Sequence, residues 1–188
     1  MVDIAGVAHW PATETPFRYG DRSVELHRGM VTGNFFNALG VRPYVGRLMQ
    51  PSDDEIPGSF PGDSKKSRAL VLSYAAWQNI FSGDSGVVGR HLVEPLLQTD
   101  YTIIGVAPPG FDYPARADYW IPMWGGWQGQ VSSFAVGRLA RGATVTQARD
   151  EYLAIQRRVQ PRFGFRGAHA ATTVARLSHH ARAAPLRV

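Results

Sequence analysis

The segment Gly-Asp-Ser-Gly at residues 83–86 carries the residue types of an activated serine in a tight turn. Serine attack on a carbonyl group needs a histidine as general base, a buried aspartate that orients it, and backbone N–H groups that stabilise the oxyanion. His9, which follows Ala8, is a weak match to the sequence around such a histidine base. The interval between His9 and Ser85 carries helical patterns, and a turn that ends a helix explains the segment more simply. We therefore predict no catalytic residue.

Two short clusters contain residue types that bind metal ions. His179 and His180 are adjacent, so their side chains diverge on a helix or point to opposite faces of a strand and rarely share one ion. The acidic run Asp53-Asp54-Glu55 suits a divalent cation, but an acidic loop in water is the simpler interpretation. The sequence also lacks zinc-site spacing and glycine-rich phosphate loops. We predict no metal site and no bound cofactor.

Trp120, Trp124 and Trp127 lie in one aromatic stretch. They could line an apolar groove for a ligand. The alternative, which we favour, is that they cover the edge of a hydrophobic core.

Composition bounds the fold and the class of protein. The chain has 188 residues, no cysteine, 44% hydrophobic and 19% charged residues. This size suits one domain or two small subdomains, and the low charge argues against disorder. Disulfide scaffolds and thiolate metal sites are excluded. No apolar run reaches the roughly 20 residues that cross a bilayer, and residues 1–10 lack the layout of a signal peptide.

The formal charge of +5 is unevenly distributed. Residues 1–137 hold 10 basic and 13 acidic groups, which gives −3, whereas residues 138–188 hold 10 basic and 2 acidic groups, which gives +8. A basic face attracts phosphate-bearing partners such as nucleic acid or acidic lipid. Dispersed arginines are more often a solvated face, and no nucleic-acid-binding motif is present. We expect no nucleic-acid partner, and we keep a soluble module that binds anionic partners through this face as the alternative function.

Strand and helix patterns alternate along the chain. A polar, proline-rich stretch at residues 50–68 predicts an exposed loop, and residues 178–188 predict a disordered basic tail. Alternating or β-branched apolar runs predict six strands: Ser23–Val31, Ala69–Leu72, Tyr101–Ala107, Tyr119–Met123, Phe134–Leu139 and Thr172–Leu177.

Two helices are predicted in the first half of the chain. Thr32–Leu39 is a short helix or turn that a left-handed Gly40 ends. Ser73 caps a helix over Tyr74–Phe81, and Gly83 follows its end. Its inward side chains are Trp77, Ile80 and Phe81.

A third helix is predicted from Thr144 to Gln160. Thr144 and Gln147 match a capping box, and Pro161 should end the helix. Its apolar stripe consists of Val145, Ala148, Tyr152, Ile155 and Val159.

Several segments together resemble the MacB-like periplasmic core domain of ABC transporter permeases, with the FtsX-like permeases as the closest branch. No single segment is decisive, but their order and spacing are similar to the family over roughly residues 20–160. The segments are Val31–Pro43, Val45–Leu48 with Asp53-Asp54, Ala69–Trp77, Gly83–Arg90, Tyr101–Phe111, Ala117–Pro122 and Val136–Tyr152.

The resemblance implies an α+β fold of two small mixed α/β subdomains, with short helices packed on sheets, over residues 1–177. Residues 1–40 and 131–177 would form one subdomain and residues 41–130 the other. The implied function is non-catalytic: a domain outside the cytoplasmic membrane couples movement of the membrane helices to export or to an adaptor protein. The implied partners are the rest of the permease, its ATPase subunit or domain, and a periplasmic adaptor. The implied location is the periplasmic face of the cytoplasmic membrane.

The sequence departs from the family pattern in two places. A short hairpin normally precedes the strand that starts at Tyr101, but residues 91–100 contain Pro95 and no Asn-Gly turn. The transmembrane helices that flank the family domain are also missing from the sequence given. We therefore expect a fragment that associates with a membrane only through the missing helices and cannot transport by itself.

Overall fold

The structure is a computed structural model that describes residues 3–9, 14–19, 21–54, 67–95, 99–114, 116–123 and 132–163. Within these residues it contains nine strands and three helices, which confirms the predicted mixed α/β fold with short helices and a sheet. The strands are β1 Asp3–His9, β2 Glu14–Tyr19, β3 Arg22–Val31, β4 Val45–Gly46, β5 Arg68–Leu72, β6 His91–Glu94, β7 Thr99–Val106, β8 Tyr119–Pro122 and β9 Ser132–Arg138. The helices are α1 Phe35–Leu39, α2 Tyr74–Phe81 and α3 Val145–Phe163.

Six of the strands close into a ring. The sheet runs in the order β2-β6-β7-β5-β8-β3, and β2 also pairs with β3, which joins the two ends. We call these six strands the ring. Beyond the ring, β3 pairs with β1 and β1 pairs with β9, so the sheet extends outward on one side. β1 and β9 pair along seven residues, from Asp3 opposite Arg138 to His9 opposite Ser132. The division into two subdomains stays a prediction.

The inside of the ring is one hydrophobic core. Side chains alternate between the two faces of a strand, and alternate residues of the ring strands point inward, among them Leu26, Leu70 and Ile103. Helix α2 adds Trp77 and Phe81 to the same core. Each large side chain that is fully buried contributes about 1.5–3 kcal/mol, so this core is the main source of stability of the ring.

A second core lies outside the ring, beneath the β1–β9 extension. Val71 and Trp120 come from ring strands but face outward, and they pack with Phe35, Phe36 and Phe111. Consecutive residues on β5 and β8 therefore serve two different cores, which explains why those strands read as unbroken apolar runs.

The local start and stop signals of the helices are confirmed. Ser73 Oγ accepts a hydrogen bond from Ala76 N at 3.0 Å, as a helix cap should. Gly40 has φ 73° at the end of α1, where only glycine is unstrained. Thr144 Oγ1 accepts from Gln147 N at 3.2 Å, and Gln147 Oε1 accepts from Thr144 N at 2.9 Å, which completes the capping box.

Two predictions about element ends are wrong. Helix α3 continues through Pro161 to Phe163. A proline removes its own N–H bond and crowds the preceding turn, but with two residues left in the helix little of the ladder is lost. The loop predicted at residues 50–68 is shorter than expected, because Pro51–Asp54 forms one 3-10 turn and Arg68, only 6% exposed, already belongs to β5.

The hairpin whose sequence signal is missing is nevertheless present. β6 and β7 pair antiparallel, from His91 opposite Thr102 to Glu94 opposite Thr99. Pro95 lies just beyond the last pair, so it removes no hydrogen bond from this ladder. The predicted strand Thr172–Leu177 and the tail 178–188 lie outside the described residues.

Candidate functional site

The Gly-Asp-Ser-Gly segment is a connector between α2 and the ring. Asp84 caps a 3-10 turn at Ser85–Val87, since its Oδ1 accepts from Gly86 N at 2.8 Å. Asp84 Oδ2 accepts from Arg90 Nη2 at 2.6 Å, and the Asp84 carbonyl accepts from Trp77 Nε1 at 2.9 Å. Arg90 also donates from Nη1 to the hydroxyl of Tyr19 on β2. The segment therefore holds the end of α2 beside β2.

The serine chemistry is not assembled by the described contacts. Ser85 is exposed, and the carboxylate beside it is engaged by Arg90 and a backbone N–H instead of a histidine. The backbone of His9 pairs with Ser132 on the outward extension of the sheet, and the surroundings of its side chain lie outside the description.

The acidic pair, Asp53 and Asp54, forms structural hydrogen bonds with neighbouring segments. Asp53 accepts two hydrogen bonds from Arg47, at 2.8 and 2.9 Å, and one from Gln50 N at 2.8 Å. Both carboxylate oxygens of Asp54 accept from Gly33 N at 2.8 Å. Protein donors thus occupy both carboxylates, which differs from the solvated loop that we predicted. Glu55 lies outside the described residues, and among those described no group of three potential metal ligands occurs.

The pKa values of the two carboxyl groups, Asp53 and Asp54, are shifted in opposite directions. Burial alone would raise the pKa of Asp53, but the hydrogen bonds from Arg47 and Gln50 outweigh it, so its pKa lies below the ordinary value. Burial raises the pKa of Asp54 and nearby Asp53 adds to this, while the hydrogen bond from Gly33 offsets part of it. The shared ion pair raises the pKa of Arg47. These groups are fixed by the fold and do not match an acid–base pair that works near neutral pH.

Two glycines let the backbone pass close to the same segment. A Cβ atom on Gly33 would lie 2.2 Å from the carbonyl oxygen of Gln50, and one on Gly105 would lie 2.1 Å from that of Arg47. Because both obstacles are backbone atoms, they cannot rotate away. We call this arrangement the clamp: the segment from Val45 to Asp54, held against Gly33 and Gly105 on two sides.

A charged cluster that the sequence patterns do not predict is buried inside the ring. Glu94 and Arg68 are 2% and 6% exposed, and they share the interior with Arg28, Tyr101 and Tyr119. Burial raises the pKa of Tyr101 to about 12, with Glu94 adding to the shift and the two arginines opposing it. Burial also raises the pKa of Tyr119 and lowers that of Arg68. Burial thus outweighs the attraction of the arginines and moves the titration of both tyrosines to more alkaline pH.

Trp120 belongs to the core, as we favoured. It is completely buried, its Nε1 donates to the carbonyl of Tyr113 at 2.9 Å, and its ring packs against Phe36 and Phe111. Trp124, Trp127, His179 and His180 lie outside the described residues.

Two exposed apolar surfaces in the described part of the chain are candidates for function. Tyr44 is 52% exposed and packs edge-on against Tyr74, at 5.0 Å between ring centroids, with Trp77 beneath. On α3, two members of the predicted stripe are exposed: Tyr152 and Ile155 are 38% and 43% exposed. Tyrosine and tryptophan are enriched where proteins bind each other, so both surfaces suit contact with another protein.

Several solved structures of transporter and permease domains share this fold. The periplasmic region of MacB from Actinobacillus actinomycetemcomitans superposes with a TM-score of 0.56 at 14% identity, covering 86% of this chain and 67% of that one. A domain of a putative permease protein from Porphyromonas gingivalis gives 0.55 at 18% identity, with 82% and 68% covered. The extracellular domain of the noncanonic ABC-type transporter YknZ from Gram-positive bacteria gives 0.57 at 12%, with 87% and 76% covered.

The sequence itself matches the family model of the MacB-like periplasmic core domain over residues 2–155. The chain therefore belongs to this family, which confirms the resemblance drawn from its motifs. No curated protein matches the sequence significantly. In the part of the chain that the structure describes, none of the helices is both long and apolar enough to cross a membrane.

Proposed function

We propose that this chain acts as the extracytoplasmic domain of an ABC-type permease and couples movement of membrane helices to export or to an adaptor protein. The match to the MacB-like family over residues 2–155 carries the proposal. The role is non-catalytic, and the domain works at the periplasmic face of the cytoplasmic membrane.

The physical support is the way in which the family motifs pack. The motif segments around Gly33, Val45–Asp54 and Gly105 meet in the clamp, where backbone touches backbone. The motif segment Gly83–Arg90 ties α2 to the ring. A domain that transmits displacement must move as a body, and the contacts within these motifs hold its segments together.

The partners are the rest of the permease, its ATPase subunit or domain, and a periplasmic adaptor. We assign their contacts to the two exposed apolar surfaces, one centred on Tyr44 and Tyr74 and the other on Tyr152 and Ile155. Single-residue truncation of an aromatic anchor in such a surface commonly weakens binding tenfold or more.

In vivo photo-crosslinking tests this function. The chain is expressed from its own chromosomal position with a photo-reactive amino acid at Tyr44 or at Tyr152, and crosslinked products are identified by mass spectrometry. We expect membrane-helix segments of a permease, an ABC ATPase or a periplasmic adaptor. The same label at Ser23, an exposed polar position on β3, should give few of these products.

A different outcome would replace the proposal. Products confined to nucleic acid or cytosolic proteins would contradict it. Binding to anionic vesicles that falls steeply as salt rises would instead favour the module with a basic C-terminal face.

A further inference from the structure

The pairing between β2 and β6 is the shortest in the ring among the described residues, and the pairing between β5 and β8, with two residue pairs, is the next shortest. β2 pairs with β3 along six residues, from Glu14 opposite His27 to Tyr19 opposite Arg22. Among the described residues, the register between β2 and β6 contains a single pair, Arg18 opposite Val93. We call this β2–β6 contact the seam.

Two prolines limit hydrogen bonding at one end of the seam. In an antiparallel register with Arg18 opposite Val93, the positions two residues further along are Pro16 and Pro95. Neither residue has an N–H group, so neither can donate a bond across the seam. Prolines in strands occur where the ladder is open, and an extension of this register places two of them opposite each other.

Side chains hold the seam in place of the missing ladder. Arg90, just before β6, donates to the hydroxyl of Tyr19 at the end of β2 and to Asp84 at 2.6 Å. Arg90 itself is fixed to β7, because its carbonyl accepts from Ile103 N at 2.9 Å. The Tyr19 ring packs edge-on against Phe81 of α2 at 4.8 Å. The Arg90 side chain is 44% exposed, so water competes for these bonds.

We propose that the seam is where the ring opens, with Arg90 as the latch. β2 separates from β6 while it stays paired to β3, and the other five ring pairings remain intact. This inference concerns the mechanics of the ring and stands whether or not the chain serves a permease. It gives the molecule one compliant joint in an otherwise closed sheet.

Amide hydrogen exchange on the full chain tests the latch. Replacing Arg90 with glutamine should speed exchange in β2 and β6 by about fivefold, the value of one exposed charged contact, and leave β5, β8 and β1 unchanged. The matched control is Arg47→Gln, which breaks an arginine–aspartate pair in the clamp. This control should not speed exchange in β2.

A designed disulfide tests the seam from the opposite direction. The chain has no cysteine, so Arg18→Cys with Val93→Cys places one pair of thiols across the seam, at directly opposed positions that suit a disulfide. Oxidation should slow exchange in β2 and β6, and reduction should restore it. The control Arg18→Cys with Ser23→Cys bridges β2 and β3, which stay paired in our proposal, and should leave β6 unchanged.

Several results would overturn the proposal. They are equal acceleration of all ring strands in Arg90→Gln, no change in β2 and β6, or failure of the thiols at positions 18 and 93 to cross-link. If Arg90→Gln does not fold, Tyr19→Phe removes only the hydroxyl acceptor and should give the same pattern with a smaller amplitude.

Discussion

The clamp and the seam fasten strands of the same ring in opposite ways. In the clamp, the backbone at Gly33 and Gly105 touches the backbone of the segment from Val45 to Asp54, and half-buried carboxylates cross-link it. At the seam, one residue pair and one exposed arginine span two strands. Backbone contacts cannot be rearranged by rotating a side chain, whereas an exposed ion pair exchanges with water at little cost. The stiffness of the ring therefore depends on the positions of glycines, which allow close backbone contact in the clamp, and of prolines, which limit hydrogen bonding at the seam.

Filling the space at a clamp glycine should have the largest effect. Gly105→Ala places a Cβ 2.1 Å from the Arg47 carbonyl, so strand β7 and the segment must move apart. We expect a loss of about 3 kcal/mol or more in the free energy of unfolding, measured by urea denaturation.

The control is Gly110→Ala. Gly110 has φ 76°, but a Cβ there meets nothing within 4 Å. Only the left-handed backbone then opposes alanine, at a cost of about 1 kcal/mol. Equal losses in the two variants would show that close packing at Gly105 is unimportant.

Alkaline pH should weaken the ring from its interior, beside the seam. Tyr101 lies opposite Leu92 of β6, and its folded pKa is about 12, whereas an unfolded tyrosine has a pKa of about 10. Between those values the unfolded chain holds fewer protons, so stability falls as pH rises. Tyr101→Phe and Tyr119→Phe should each flatten this fall in denaturation series from about pH 8 to about pH 12. Equal slopes in all three proteins would contradict burial as the cause.

Acidification should change the stability of the folded chain through Asp53 and Asp54, and the two contributions have opposite signs. Because the pKa of Asp53 is lowered in the folded chain, its contribution is present above about pH 3.9 and is lost as the pH falls further. Asp53→Asn should cost about 1 kcal/mol near pH 7 and flatten that loss. The pKa of Asp54 is raised, so Asp54→Asn should remove a gain on acidification. Denaturation midpoints from pH 7 to pH 3 would check both signs.

The smallest effect is expected at the serine of the connector. Ser85 is exposed, and Ser85→Ala should change stability by less than about 0.5 kcal/mol. Asp84→Ala should cost about 1 kcal/mol, because it removes a cap and the anchor of Arg90. A larger loss in Ser85→Ala than in Asp84→Ala would contradict the assignment of the connector.

What the sequence predicts well here is local. The caps at Ser73 and Thr144 and the turn at Gly40 depend on residues within one helical turn, and all three are confirmed. The strands at Ser23–Val31 and Tyr101–Ala107 are correct within one or two residues. The family resemblance also rests on such short segments, and it is confirmed.

What the sequence does not predict depends on pairing between distant segments. The bond from Gly33 to Asp54 spans 21 positions, and that from Arg90 to Tyr19 spans 71. Nothing in the local pattern of Asp53-Asp54 distinguishes a solvated run from a fastening. The sequence patterns likewise do not predict strands β1 and β2 or the hairpin of β6 with β7. Partners elsewhere in the sheet stabilise these strands, whose own sequence preference for a strand is weak.

The polar stretch between the clamp and β5 is held at both ends. At one end both carboxylate oxygens of Asp54 accept from Gly33 N at 2.8 Å, and at the other Ser67 Oγ accepts from Thr102 Oγ1 of β7 at 2.6 Å. A connection whose two ends are held by the fold can change in length with only a small entropic penalty. An epitope or a fluorescent domain inserted between Asp54 and Ser67 should therefore cost little stability.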